Sequence, residues 1–150
     1  MRIDRIAVYR FRFPLIRPYR LSFGALRHFD TIYVEMRSAG GETGLGEATP
    51  LPGYGHETAE SCWRDACAVA RGLISRDTGE VDGACTALAA ESPFAATAVN
   101  TAAEMLGGHP LLLTIGAVPL VATINEDGGE PLEREVEAAI GGGFRTLKVK

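Results

Sequence analysis

Lys148 and Lys150 stand two residues apart in the run Phe144-Arg145-Thr146-Leu147-Lys148-Val149-Lys150, which reads as a strand. On a strand that spacing sends both ammonium groups to one side, about 6.5 Å apart along the chain, and turns Leu147 and Val149 to the other. Two like charges that close, partly desolvated, disfavour ionisation of at least one and leave an amine able to take a proton. If helices cover Leu147 and Val149 in a β/α barrel, the lysines face the barrel interior near the C-terminal end of a strand, where such barrels do their chemistry. The plainer reading of the same spacing is a solvated strand end.

The other chemically capable residues are more dispersed. Gly44-Leu45-Gly46-Glu47 lacks the third glycine and the following helix of a dinucleotide loop, so it reads as a glycine-kinked strand. Leu51-Pro52-Gly53-Tyr54-Gly55-His56 is a loop with an exposed aromatic, suited to ligand binding or simply a connector. His28, His56 and His109 lack the i, i+4 spacing of a metal pair and read as surface or capping residues. Glu126, Asp127 and Glu130, flanked by Gly128-Gly129 and Pro131, suit a helix start better than a metal. Cys62, Cys67 and Cys85 are odd in number and form no C-x-x-C spacing. Cys62 and Cys67 fall roughly 140° apart around a helix. All three read as packing residues in a reduced, cytoplasmic setting.

The elements must position these groups. The sequence has 150 residues, 46% of them apolar and 23% charged, a soluble globular balance. That length suits one domain, or a domain plus a piece of another. No apolar span of about 20 residues exists to cross a membrane. The opening Met1-Arg2-Ile3-Asp4-Arg5 leads into no secretory signal. The net charge of −4 argues against a nucleic-acid partner. The 18 glycines point to many tight turns and helix ends.

Residues 3–15 alternate, with Ala7, Tyr9, Phe11, Phe13 and Leu15 on one face and Arg10 and Arg12 on the other, the pattern of a half-buried strand. Pro14 and Pro18 end it, and residues 16–28 read as a loop. Residues 29–37 alternate again, with Ile32, Val34 and Met36 on one face. Glu42 to Ala48 returns after a glycine turn, giving a three-stranded antiparallel meander. Thr58 caps a helix whose stripe is Ala59, Cys62, Trp63, Ala66, Ala70, Leu73 and Ile74. A shorter helix spans 81–90. Ser92 caps a third, with Pro93 at its first position and a stripe of Ala95, Ala98, Val99, Ala102, Met105 and Leu106, stopped at Gly107-Gly108. Residues 1–115 thus form an α+β domain. Residues 116–150 then read strand (118–124), helix (from Pro131) and strand. That βαβ unit requires a parallel sheet larger than two strands, so the sequence stops partway into an α/β domain.

Three stretches together resemble the enolase superfamily, in its muconate-lactonizing and mandelate-racemase branch. They are Gly44-Leu45-Gly46-Glu47-Ala48-Thr49-Pro50 with Tyr54 and Glu57-Thr58, then Val118–Ile124, and finally Gly143–Lys150 ending in K-x-K. Their order and spacing match along the whole chain. The resemblance implies an N-terminal α+β capping domain followed by the first βαβ of a TIM-like β/α barrel, here incomplete. It implies two loops that close over substrate, roughly Ile16–Gly24 and Leu51–His56. It implies a magnesium-dependent isomerase or lyase that abstracts the proton α to a carboxylate. Lys150 would be the base, Lys148 would polarise the carboxylate and depress the pKa of Lys150, and Tyr19 and Tyr54 would contact substrate. The family's magnesium ligands lie on later strands, so no metal ligand is assigned in this chain, which is expected to be inactive alone. The implied partners are a small carboxylate substrate and further copies of the chain. Cycloisomerisation, epimerisation or racemisation, and o-succinylbenzoate synthesis suit K-x-K better than acid-sugar dehydration. The alternative is a non-catalytic, cap-like binding or oligomerisation domain with a vestigial barrel tail. A reading frame running past Lys150 into further βα units separates the two.

Overall fold

The computed structural model describes residues 1–21, 24–113 and 116–149. The chain divides into two compact units, Met1–Leu113 and Thr114–Lys150.

The first unit opens with three strands, β1 (Ile3–Leu21), β2 (Gly24–Ser38) and β3 (Thr43–Ala48), in an antiparallel sheet of order β1-β2-β3. Ile32, Val34 and Met36 of β2 are fully buried on the helix-covered face, joined by Ile6 and Val8 of β1 through the pairs Ile6–Met36 and Val8–Val34. Tyr9, Phe11 and Phe13, the apolar side of the β1 alternation, lie on the other, open face and are 39–50% exposed. Register dictates this. Tyr9 pairs with Tyr33 and Phe13 with Phe29, out of phase with the buried stripe of β2, so burying that stripe turns the aromatics outward. They shield one another instead, with ring centroids 5.8 Å (Tyr9–Phe11), 5.7 Å (Phe11–Phe13) and 6.1 Å (Phe11–Tyr33) apart.

The loop expected over residues 16–28 is a correction. β1 and β2 continue through it, and the pairs Tyr19–Leu26, Arg20–Ala25 and Leu21–Gly24 carry the hairpin almost to its tip. Pro14 and Pro18 are tolerated because β1 is an edge strand, and the register shifts between Pro14 and Tyr19. Ser22 and Phe23, within the expected substrate loop, lie outside the described residues.

Three helices cover the sheet: α1 (Ala59–Leu73), α2 (Val81–Ala89) and α3 (Pro93–Gly107). Thr58 caps α1 through a reciprocal capping box, Thr58 Oγ1 accepting from the Ser61 N–H (3.1 Å) and Ser61 Oγ accepting from the Thr58 N–H (2.9 Å). Cys62, Ala66, Ala70 and Leu73 form its buried stripe, while Trp63 and Ile74 sit at the exposed margin. α3 lies against β3 and touches α1 and α2, so Ala95, Ala96, Ala98, Val99, Ala102, Ala103 and Leu106 are all buried. Met105 is exposed, its sulfur receiving the Leu45 N–H at 3.3 Å. Gly108, left-handed at φ 69°, closes α3. Gly44 and Gly46 lie within a regular β3 ladder, and their role is close approach: a Cβ on either would sit 2.0 Å from a carbonyl oxygen of α3.

The second unit holds β4 (Val121–Ile124), α4 (Gly129–Gly141) and β5 (Thr146–Val149). β4 and β5 are parallel, as the βαβ pattern requires. Residues 118–120 lie outside the strand, which is therefore shorter than the apolar run. None of the described helices is long and apolar enough to cross a membrane.

Candidate functional site

In the first unit a cleft of about 410 Å³ opens between the hairpin and the loop that follows β3. Its hairpin wall includes Arg10, His28 and Asp30, and its loop wall includes Pro52, Gly55 and His56. The loop turns on the Tyr54 N–H, which donates to the Leu51 carbonyl at 3.1 Å, with Gly53 at φ 87°, a conformation glycine adopts freely.

The hairpin wall is a charge network. Arg12 grips Asp30 with two hydrogen bonds of 3.0 and 2.9 Å. Arg10 reaches Glu60 at 2.6 Å and stands 4.0 Å from Asp30, and His28 Nε2 lies 3.7 Å from Asp30. The Arg12 hydrogen bonds hold the Asp30 carboxyl below the usual carboxylate range, with Arg10 and His28 adding to the effect. Asp30 therefore stays ionised as a structural anchor of the cleft.

The loop wall is fixed at its stem. His56 Nε2 meets the Glu91 carbonyl at 2.7 Å. Glu57, only 5% exposed, accepts the N–H groups of Phe94 (2.7 Å) and Ala95 (3.3 Å) at the start of α3. Ser92 precedes α3 but makes no side-chain cap, donating its hydroxyl to Asp65 instead. Glu57 takes over that role. Burial, and then the Glu57 charge, push the nearby Cys62 thiol up to about 12; burial raises Cys85 to about 11. Cys62 and Cys85 are buried and Cys67 half-buried, in keeping with packing roles.

Tyr19 packs edge-on against Phe29 at 5.8 Å, and Phe29 lines the cleft. Tyr54 projects from the loop tip, 71% exposed. Neither tyrosine is among the cleft's lining residues. His109 accepts the Leu111 N–H at 3.3 Å, a capping role.

In the second unit, Lys148 is exposed on β5 opposite Thr123 of β4. Val121, Thr123, Thr146 and Lys148 share one face; buried Ile124 and half-buried Ala122 and Leu147 share the other. Lys150 lies outside the described residues. The turn after β4 is held by Glu135 of α4, whose Oε2 accepts the N–H groups of Asn125 (2.8 Å) and Glu126 (2.9 Å). Among the described residues, no three or more His, Cys, Asp or Glu are grouped to hold a metal.

A short antiparallel meander under three helices, followed by a parallel βαβ, defines the class: an α+β capping domain leading into an α/β unit. Scanned against protein-family models, the chain matches none. A curated relative, the L-Lys-D/L-Arg epimerase of Methylococcus capsulatus, is 34% identical over the whole of this chain. The chain spans about half, 46%, of that relative's length. The crystal structure of a dipeptide epimerase from Methylococcus capsulatus, complexed with Mg and the dipeptide L-Arg-D-Lys, superposes over 99% of this chain and 46% of that one, with a TM-score of 0.82 and 33% identity. A member of the enolase superfamily from Roseovarius nubinhibens shares the fold at a TM-score of 0.77 and 23% identity, over 99% of this chain and 44% of that one. Along nearly its whole length the chain is therefore similar to the N-terminal part of these proteins and shares their fold.

Proposed function

We propose that this chain is the N-terminal part of a magnesium-dependent epimerase that moves the proton α to a carboxylate on a dipeptide or N-acylated amino acid. The observation that carries the reading is the 34% identity, over the full 150 residues, to an L-Lys-D/L-Arg epimerase. In this reading residues 1–115 cap the substrate, and residues 116–150 open a β/α barrel. Lys150 is the base that removes the α proton. Lys148 sits one strand repeat earlier and holds the carboxylate; its exposure on the face shared with Thr123 supports a role toward substrate rather than core. Tyr54 and Tyr19 contact the substrate. The part of this stretch in the reaction is proton handling and substrate enclosure.

The same reading carries a small carboxylate partner, a cytoplasmic setting and self-association, the last supported by the open aromatic face of the sheet. The test is to express the reading frame in its natural extent and follow exchange of dipeptide Cα protons with D2O in the presence of magnesium. Lys148→Met should abolish that exchange while leaving the fold intact. Full exchange by that variant, or none by the parent across cationic and neutral dipeptides and N-acylamino acids, would overturn the assignment.

A further inference from the structure

We propose that Glu57 is a positioning residue: it latches the loop Leu51–Gly55, one wall of the cleft, to the start of α3. A carboxylate this buried requires polar partners. Those of Glu57 are the first amides that α3 has to offer, because Pro93 has none, and they lie where the helix dipole favours an anion. The cap could have come locally from Ser92, and it does not. It comes instead from the end of a distant loop, so the same two bonds that complete α3 also fix the loop.

The neighbours of Glu57 act in concert with it. His56 is tied to the Glu91 carbonyl just before α3, and Thr58 caps α1. Three consecutive residues thus fasten the loop's stem to the ends of the surrounding helices, while the tip, with Tyr54, reaches into solvent. A stem fixed on both sides of one carboxylate sets the loop's height over the cleft. That the loop borders a substrate rests on the function proposed above; the latch does not depend on it.

The experiment uses this chain and two independent readouts. Glu57→Gln keeps the side chain's shape but removes the charge and turns an NH2 toward one of the helix amides, leaving that amide without an acceptor. Hydrogen exchange of residues 51–56 is expected to accelerate about tenfold, and labelling of Cys62 by a disulfide reagent at mildly alkaline pH to rise by about as much. Cys85, buried away from the latch, is the internal control and should label as in the parent. Glu57→Asp keeps the charge on a shorter arm and should fall between the two.

The proposal is overturned if the Phe94 and Ala95 amides exchange faster in Glu57→Gln while residues 51–56 do not, since Glu57 would then be a helix cap alone. It is also overturned if Cys62 and Cys85 labelling rise together, since the effect would then be general loosening. Should Glu57→Gln fail to fold, Glu57→Asp decides: it keeps the charge that caps α3 but shortens the arm that ties the loop to it. Faster exchange confined to residues 51–56 upholds the latch, and unchanged exchange overturns it.

Discussion

Gly46→Ala is the sharpest probe of how the first unit is built. A Cβ at Gly46 would lie 2.0 Å from the Ala98 carbonyl oxygen and 2.7 Å from the Ala102 nitrogen, both backbone atoms of α3. A carbon and a carbonyl oxygen rest at about 3.3 Å or more, so α3 must retreat from β3 by about 1.3 Å. Neither contact can be relieved by a rotamer change. Overpacking of this kind costs about 1–3 kcal/mol, and a clash with main chain belongs at the upper end. The stiffer unfolded chain of alanine returns about 0.4–1 kcal/mol. A net loss of about 2 kcal/mol follows, which lowers the melting temperature of a domain of this size by roughly 8–12 °C. The displacement would also draw the start of α3 away from Glu57, so the loop wall of the cleft should loosen with it. Gly83→Ala, in α2 with nothing within 4 Å of the new methyl, is the control. It should add about 0.5–1 kcal/mol. Urea unfolding followed by far-UV circular dichroism and Trp63 fluorescence measures both. Gly46→Ala as stable as the parent would refute the close approach of α3 to β3.

Three further outcomes are expected. The buried thiols of Cys62 and Cys85 are raised to about 12 and about 11 from an ordinary 9.0. As pH climbs past 9, the unfolded chain sheds these protons while the native one keeps them, so stability should fall from there upward. Cys85→Ala should flatten that alkaline limb, and a flat limb in the parent refutes it. Asp30 and Asp65 are depressed below their ordinary 3.8, Asp30 by Arg12 and Asp65 by Arg64 and then Ser92. Their stabilisation is present above that value and is lost as pH falls through the lower native values. Asp65→Asn should therefore weaken the acid dependence of the urea midpoint. In the native chain, half-buried Cys67 should react with thiol reagents before Cys62 and Cys85, a sequence that peptide mapping after partial labelling reads directly.

The elements were legible where periodicity and punctuation agreed. Thr58 before a helical stripe, Pro93 at a first turn and Gly108 at a stop are local signals, and each lies where the chain does what it says. The face of β1 was not legible, because Tyr9, Phe11 and Phe13 make one side the more apolar, and only the pairing of Ile6 and Val8 with β2 turns the other side to the core. The hairpin's length was missed for a related reason: Pro14 and Pro18 read as terminators unless the strand is known to be an edge. Gly44 and Gly46 look like a kink in sequence; their role appears only when Ala98 and Ala102 are set against them. The candidate site divides the same way. The spacing of Lys148 within a strand is visible in the sequence. Glu57 stood inside a recognisable motif, yet its bonds to Phe94 and Ala95, like the bond between Arg12 and Asp30, depend on contacts far apart along the chain.

The two units should differ most in local stability, and that difference bears on the lysines. In the second unit Ile124 is the one fully buried apolar residue among those described, and α4 has no buried residue at all. Val118, Leu120, Val121, Ile140 and Val149 are exposed. A unit of about 35–40 residues with so little apolar surface removed from water lies at or below the size that folds unaided. Its opening free energy should be near zero, whereas α3, buried on three sides, should open only with the whole first unit. Hydrogen exchange of the 150-residue chain should therefore show amides of α4 and β5 close to unprotected rates. Amides of Ala98–Ala103 should be slower by about a thousandfold or more, corresponding to roughly 4 kcal/mol. Equal protection in the two regions would refute this and would mean that another surface covers the apolar side chains of β4, α4 and β5. If the difference is found, Lys148 in this chain rides on a strand that opens readily. A proton-transfer group must be held to within a fraction of an ångström of its target. The strand would then need a covering surface before its lysine could act, and adding one should slow exchange at Leu147 to Val149 before any activity appears.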